Sequence, residues 1–249
     1  MAFSNSYEDV SRAKAYATLE FPRTYYLAYR DLPEILGKHV CGSKALDFGC
    51  GTGRSTRFLK KLGFDAVGVD IADTMINQAK KFDPDGDYRL IENGVFDSFG
   101  DETFDLVLSV FTFDNIPTRD QKIRNLLEIK RILNPEGHLV NLVSSPKIYT
   151  HEWASFSTKD FPENKHAKTG DVVKIIITEL ADKRPVKDVI WLNDDYLDVY
   201  DKSGLNLVAT YKPLGKETEP YDWVNETKIA PWVIYVLNKP AKKNNKLRN

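Results

Sequence analysis

Residues 46–53 read LDFGCGTG, and this short run decides the fold. An apolar approach, Ala45 and Leu46, leads through Asp47 into glycines at every second position, Gly49, Gly51 and Gly53, and then into a helix-like segment that begins at Arg54. That order is a strand, a tight turn and a helix. Glycine is needed where the backbone takes a positive φ, or where a ligand must lie against the chain with no Cβ in the way. The turn therefore reads as a nucleotide cradle in preference to a plain glycine-rich connection.

The neighbouring sequence repeats the same alternation. The strand into the turn covers Lys44 to Phe48, and the helix after it, RSTRFLKKLG, puts Phe58, Leu59 and Leu62 on one face before stopping at Gly63, a left-handed cap. A second strand, Ala66 to Val69, ends in Asp70, which makes a right-handed parallel crossover. Asp73 is placed to cap a helix carrying Met75, Ile76 and Ala79, and a turn at 83–86 leads to a third strand, Tyr88 to Ile91. FDLVLSV, residues 104–110, has the branched, apolar character of a buried central strand. Thr118 and Gln121 form a capping box for a helix through Leu133, and the turn NPEG at 134–137 precedes a fifth strand, His138 to Val143. Strands alternating with helices predict an α/β fold with a doubly wound parallel sheet.

Both flanks depart from this rhythm. Residues 7–36 space Tyr16, Leu19, Tyr25, Tyr26, Leu27, Tyr29, Leu32, Ile35 and Leu36 at threes and fours, which predicts a helical cap over residues 1–40. After Ser145 the alternation breaks. Residues 146–170 are polar and aromatic with little periodicity, and a loop of that length inside an enzyme is usually a lid or binding element. Two strands, Val172 to Thr178 and Val186 to Trp191, complete an insertion over 146–191. A short helix ending at Gly204, a strand from Leu205 to Tyr211 and a last strand from Trp232 to Leu237 follow. The expected organisation is a single domain over 1–240, with 241–249 a disordered basic tail.

Composition narrows the function classes. Thirty-five basic residues against 36 acidic give a net charge of -1, so no global field favours nucleic acid or an anionic membrane, and a small or neutral substrate is expected. Cys41 and Cys50 match no metal-ligand spacing, and a disulfide at Cys50 would obstruct the glycine turn, so both are expected as free thiols with no metal site. No signal-peptide core and no run of eighteen apolar residues occurs, which predicts a soluble, cytoplasmic protein. Oligomeric state is not legible.

Asp47-x-Gly49-x-Gly51-x-Gly53, with an acidic residue closing the next strand, resembles the class I S-adenosylmethionine-dependent methyltransferases. The likeness extends through FDLVLSV, the NPEG turn and the final strand pair, so it covers roughly residues 40–145 well and the remainder in outline. It implies a Rossmann-like, mostly parallel seven-stranded sheet whose last strand is antiparallel, and S-adenosyl-L-methionine as cofactor. Gly49, Cys50, Gly51 and Gly53 would line the methionine part, with Asp47 supporting the loop or meeting the ammonium through a water. Asp70 would accept hydrogen bonds from the ribose hydroxyls, and Ile71 would lie beside the adenine. Asn93, Gly94 and Val95 stand near the position at which many relatives meet the adenine amino group, while Asp97 comes a few residues late. Val110 and Phe111 would face the sulfonium, and Arg23 stands at about the interval at which some small-molecule members carry an arginine for the cofactor carboxylate. The competing dinucleotide fingerprint, G-x-G-x-x-G, lacks its third glycine here.

The exit of the fourth strand, SVFTFDNIP, has no Asn-Pro-Pro-Tyr-like sequence of the kind adenine and glutamine amino methylases carry. The expected reaction is methyl transfer to a small-molecule acceptor; a transfer RNA or protein acceptor and a non-catalytic cofactor-binding scaffold are the alternatives. Candidate bases are His151, Asp114 and His166, with Glu152 beside them, because a histidine or carboxylate takes a proton near neutral pH. Trp153, Phe156, Phe161, Phe111 and Phe113 are candidates for an acceptor wall or for lid core. His39 and His138 precede strands on the side away from the cofactor.

Overall fold

Four of the five residues of β1 (Lys44–Phe48) are buried, as a strand enclosed on both faces requires. In this computed structural model, which describes residues 22–240, β1 is the centre of a doubly wound sheet. The helical expectation before Pro22 and the expected tail at 241–249 lie outside the described residues. The first described elements are a 3-10 turn at Arg23–Tyr25, α1 (Tyr26–Tyr29) and α2 (Leu32–His39), which bury Tyr25, Leu27, Tyr29, Leu32, Ile35 and Leu36.

Parallel pairing joins β1 to β2 (Asp65–Asp70) and, beyond it, β3 (Asp87–Leu90). On the other side β1 pairs with β4 (Phe104–Val110), and β4 with β5 (Leu133–Ser144). The crossovers are α3 (Arg54–Lys61), α4 (Asp73–Phe82) and α5 (Arg119–Ile132). Thr118 caps α5 by accepting the backbone N–H of Gln121, as the capping-box spacing predicts. Ala72, not Asp73, stands at the N-cap of α4, and Asp73 is its first residue. The NPEG turn lies inside β5: the register jumps from Phe104 opposite Leu133 to Leu106 opposite His138, so residues 134–137 are carried as a bulge.

The 146–191 insertion is more regular than its sequence suggests. It contains two 3-10 turns, Pro146–Tyr149 and Pro162–His166, and an antiparallel sheet of β6 (Phe156–Ser157), β7 (Val172–Ile177) and β8 (Val186–Val189). Alternation in β7 buries Val173, Ile175 and Ile177. After it come α6 (Asn193–Ser203), β9 (Asn206–Tyr211) and β10 (Trp232–Asn238). The main sheet therefore has seven strands in the order β3-β2-β1-β4-β5-β10-β9, and β10 is antiparallel to both neighbours.

A buried polar knot clamps the N-terminal segment and the insertion over the sheet. Fully buried Glu226 accepts from Thr24 Oγ1 (2.6 Å) and Ala154 N (2.8 Å) through Oε1, and from Val224 N (2.8 Å) and Asn225 N (3.1 Å) through Oε2. Ser155 N donates to Thr24 Oγ1, and Trp232 Nε1 donates to Thr24 O. A buried carboxylate persists only when its lone pairs are satisfied in this way.

Candidate active site

The glycine turn closes onto the carboxyl end of β2, where Gly49 N and Cys50 N both donate to Val69 O (2.8 and 2.9 Å). All three glycines are left-handed, with φ of 75° at Gly49, 52° at Gly51 and 79° at Gly53, but for different reasons. A Cβ on Gly49 would stand 2.2 Å from Thr112 Oγ1, and one on Gly53 would stand 2.7 Å from the Tyr88 ring, so both are close-packing positions. A Cβ on Gly51 would meet nothing within 4 Å. Gly51 and Gly49 line the main cavity; Gly53 does not, because it is the N-cap of α3. Cys50 is also turned away, packed with Ile76, Ala79 and Tyr88, and burial pushes its thiol pKa well up. Both cysteines are free thiols.

Two aspartates hold the turn. Asp47 is fully buried and does not line the cavity; its Oδ2 accepts from Ser55 Oγ and Thr56 Oγ1 (both 2.6 Å), and its Oδ1 has no partner. Burial is the main reason its pKa is pushed up to about 6, against the lowering effect of those two hydroxyls. Asp70 lines the cavity, with Oδ2 accepting from Gly51 N and Oδ1 from Ala72 N, each 2.9 Å. Burial raises its pKa while those backbone donors oppose the shift. Ala72, half-exposed Ile71, Met75, Ile91 and Asn93 continue the lining from Asp70. Gly94, Val95 and Asp97 lie off it: past Asn93 the chain turns outward through Gly94, φ 77°, leaving Val95 and Asp97 exposed.

The same cavity runs on under the insertion. Val110 and Phe111 lead into it, and Phe111 is held at φ 62°, a conformation that costs a residue with a Cβ roughly 1–2 kcal/mol. Its ring packs against Trp232, centroids 4.6 Å apart, and Tyr25 and Phe156 complete the aromatic wall. Ile148, Ile175, Ile177 and Val186 add aliphatic surface. The polar groups at this end are Asp114, Ser144, Tyr149 and Asp188. Asp114 accepts from Ser144 N (3.0 Å) and Tyr196 OH (3.3 Å), and burial pushes its carboxyl up to about 6. Tyr149 donates to Asp188 Oδ2 (3.0 Å).

Three further expected site residues are elsewhere. Arg23 reaches back to Ala154 O (3.4 Å) and Glu179 (3.6 Å), with half its side chain exposed, so it serves the roof and not the cavity. His151 is held at Lys147 O (3.1 Å) by the local 3-10 turn, and His166 is exposed at the end of its own turn; neither lines the cavity. Glu152 is occupied by Thr158 N (2.7 Å), while Trp153 and Phe113 are core residues and Phe161 lies beneath the Lys174 ammonium (5.7 Å), all three outside the lining. His39 bonds Tyr211 OH (2.7 Å), away from the cavity as expected.

Several residues carry no motif and escape a linear reading. Tyr149, Asp188 and Trp232 line one cavity only because the insertion folds back over the sheet. Lys122 had a readable signal: it shares the buried face of α5 with Leu126 and Ile129, at spacings of four and seven. Its ammonium donates to Phe113 O and lies over the Trp191 ring (4.7 Å), and burial pulls its pKa down to about 7.

Residues 46–141 match the model of a family described as a methyltransferase domain. Over 106 residues the chain is 35% identical to the demethylmenaquinone methyltransferase of Tropheryma whipplei, covering 41% of each protein. It is 28% identical over 169 residues to the mitochondrial ubiquinone biosynthesis O-methyltransferase of Bos taurus, covering 57% of this chain and 44% of that one. The chain thus spans about two fifths of the length of these relatives. Solved S-adenosylmethionine-dependent methyltransferases from Methanosarcina mazei and Mesorhizobium loti share the fold, at TM-scores of 0.62 and 0.61 and identities of 16% and 18%. The first likeness covers 84% of this chain and 98% of the other, the second 85% and 98%. Residues 46–141 are thus similar to a methyltransferase domain, and the chain shares the fold of solved S-adenosylmethionine-dependent methyltransferases. S-adenosylmethionine, the cofactor named for those solved structures, suits these residues: the space over Gly51 is open, the Asp70 carboxylate stands at the strand end, and Asp47 Oδ1 is an unpaired acceptor behind the turn. Among the described residues no helix is long and apolar enough to cross a membrane, and no cluster of metal-ligating side chains occurs.

Proposed function

We propose that this protein transfers a methyl group from S-adenosylmethionine to a small, largely apolar acceptor. One observation carries the reading: a single cavity joins the Asp70–Gly51 turn to a chamber walled by Tyr25, Phe111, Phe156, Ile175 and Trp232. Asp70 would receive the ribose hydroxyls, Gly49 and Gly51 the methionine part, Ile71, Met75 and Asn93 the adenine end, and Val110 and Phe111 the sulfonium end. The bound cofactor supplies an activated methyl group, so the chain's own residues have mainly to orient and to exclude water. The β6–β8 sheet and the Thr24–Glu226 knot close the chamber from above. Asp114 is the one candidate base that lines the cavity, and a carboxylate pushed up toward neutrality accepts a proton from the acceptor more readily than an ordinary one.

The aromatic chamber favours a small acceptor over a transfer RNA or protein side chain, because its walls lie beneath the insertion. The relatives that act in quinone biosynthesis, by their names, are consistent with an apolar acceptor. Incubation with methyl-labelled donor and a metabolite extract tests the reading. Label should move to a small, extractable product; label recovered only in RNA or protein, or none leaving the donor, would refute it.

A further inference from the structure

A second cavity opens where β5 ends and β10 begins, beside the start of α6. Its volume is about 370 Å³, within the range of small-ligand sites. Lys147, Lys212 and Lys228 line it, and among the described residues no aspartate or glutamate does. The three lysines come from separate parts of the chain: the Pro146–Tyr149 turn, the residue after β9, and the segment before β10. Lys60, Lys174 and Lys202 each face a carboxylate (2.8, 3.7 and 3.0 Å), whereas these three stand in no ion pair among the described residues. Of the acids on adjoining elements, Asp114 faces the main cavity and is compensated by buried Lys122, and Asp195 and Asp198 hold Arg119. Glu226 is engaged in the buried knot, and Asp194 is exposed outside the lining.

A second observation points the same way. Trp191 lines the cavity, is only 5% exposed, and its indole N–H has no hydrogen-bond partner. A buried donor is costly unless an acceptor meets it. Lys122 and Arg119 stand over the Trp191 ring (4.7 and 5.8 Å), so the positive field extends behind the cavity. Ammonium groups converging on one concavity attract an anion, and a dianion most strongly. We propose that this cavity is a second ligand site, separate from the main one, and that it takes a dianionic phosphate group, free or esterified to a small molecule. Lys147, Lys212 and Lys228 surround its oxygens, and the Trp191 N–H donates to one of them. Val143, Ile229 and Val233, also in the lining, receive the apolar body of an ester. The two cavities stand back to back: Ser144 lines both, and Ser144 N and the OH of Tyr196, a residue of the second lining, both donate to Asp114 (3.0 and 3.3 Å). The inference does not depend on the methyl-transfer reading.

The full chain, in phosphate-free buffer at fixed ionic strength, is titrated with inorganic phosphate, phenyl phosphate and phenol. Binding is followed by the indole N–H resonances in proton–nitrogen NMR, that of Trp191 being assigned from Trp191→Phe. Both phosphates should bind at millimolar affinity or better and shift the Trp191 signal, and phenol should not shift it. Tighter binding of phenyl phosphate assigns the ligand as a phosphate ester; equal binding assigns free phosphate. Lys212→Gln and Lys228→Gln, at exposed positions, should each weaken phosphate binding by about tenfold, while Lys81→Gln on α4 should not. Saturating S-adenosylhomocysteine should leave the phosphate affinity unchanged. No binding of either phosphate, an unmoved Trp191 signal, affinity unchanged in both lysine variants, an equal loss in Lys81→Gln, or competition with S-adenosylhomocysteine would overturn the proposal. An RNA oligonucleotide that binds through Lys212 and Lys228 while phenyl phosphate does not would also overturn it, in favour of a nucleic-acid surface. If S-adenosylhomocysteine itself fails to bind, the methyltransferase reading falls and the phosphate site is judged on the lysine variants alone.

Discussion

The two ends of the cavity are built on opposite principles. At the end proposed for the cofactor, the backbone does most of the work: left-handed glycines, strand-end carbonyls and two aspartates all come from one short run and its following crossover, residues 46–72. At the aromatic end, proposed for the acceptor, side chains from five separate parts of the chain converge: Tyr25, Phe111 with Asp114, Tyr149 with Phe156, Asp188, and Trp232. A backbone cradle tolerates few sequences and so leaves a signature. A side-chain chamber is a product of long-range packing, and many sequences can line it.

The contrast is sharpest at Asp70. Its loss should remove two charge-assisted hydrogen bonds to a ribose, each worth roughly 1.5–3 kcal/mol. Asp70→Ala should therefore weaken S-adenosylhomocysteine binding by about a hundredfold or more, read by calorimetry. Unchanged affinity would break the division between the two ends. The opposite probe is Glu226→Ala, which strands the donors at Thr24, Ala154, Val224 and Asn225. Leaving several buried donors unpaired should cost about 3 kcal/mol or more in urea denaturation. Because the knot lies in the roof, the residual folded protein should still bind S-adenosylhomocysteine.

Within the glycine turn, packing and binding can be separated. Gly49→Ala forces a Cβ onto Thr112 and should lower both melting temperature and cofactor affinity, at about 2 kcal/mol of stability. Gly51→Ala meets no neighbour, so its stability loss should stay near the roughly 1–2 kcal/mol of a left-handed alanine while cofactor affinity falls more steeply. Equal losses in the two variants would mean that the space over Gly51 is not used.

Proton linkage distinguishes the ends more gently. Asp47 rises on folding from 3.8 to about 6, so the folded protein binds a proton that the unfolded chain has already released. Its contribution is therefore fully present below about pH 4 and is lost as the pH rises through about 6. Asp114 shifts in the same direction, so Asp47→Asn should flatten the stability profile between pH 4 and pH 6 only in part, by on the order of 2 kcal/mol in denaturation midpoints converted to free energy. The smallest effect belongs to His151→Ala and His166→Ala, which should change stability by less than about 0.5 kcal/mol and leave transfer rates unaltered, since neither ring borders the cavity.

The elements of the sheet were legible because local rules govern them. β1 and β4 occupy the very residues their apolar runs predict, and Thr118 caps α5 as its spacing requires. The regular β6–β8 sheet was only half legible. Its two longer strands show in 172–178 and 186–191, but Phe156–Ser157 is too short to leave a periodic trace. The histidines misled for a physical reason as well: residue chemistry suggested a base, yet His151 is tied to its own turn and His166 faces solvent.

What LDFGCGTG and the following Asp70 determined alone was the strand–turn–helix unit, the doubly wound class and, through the family likeness, the cofactor. Those follow from φ preferences, β-branched runs and a crossover of short range, all encoded locally. Tertiary structure alone decided that Gly51 is the open position while Gly49 and Gly53 are packed, that Cys50 lies beneath the turn, and that Arg23 belongs to the roof. It also decided the aromatic chamber, because Tyr25 and Trp232 are separated by most of the chain and bring their ring centroids to 6.0 Å only when the insertion and the antiparallel last strand close over the sheet.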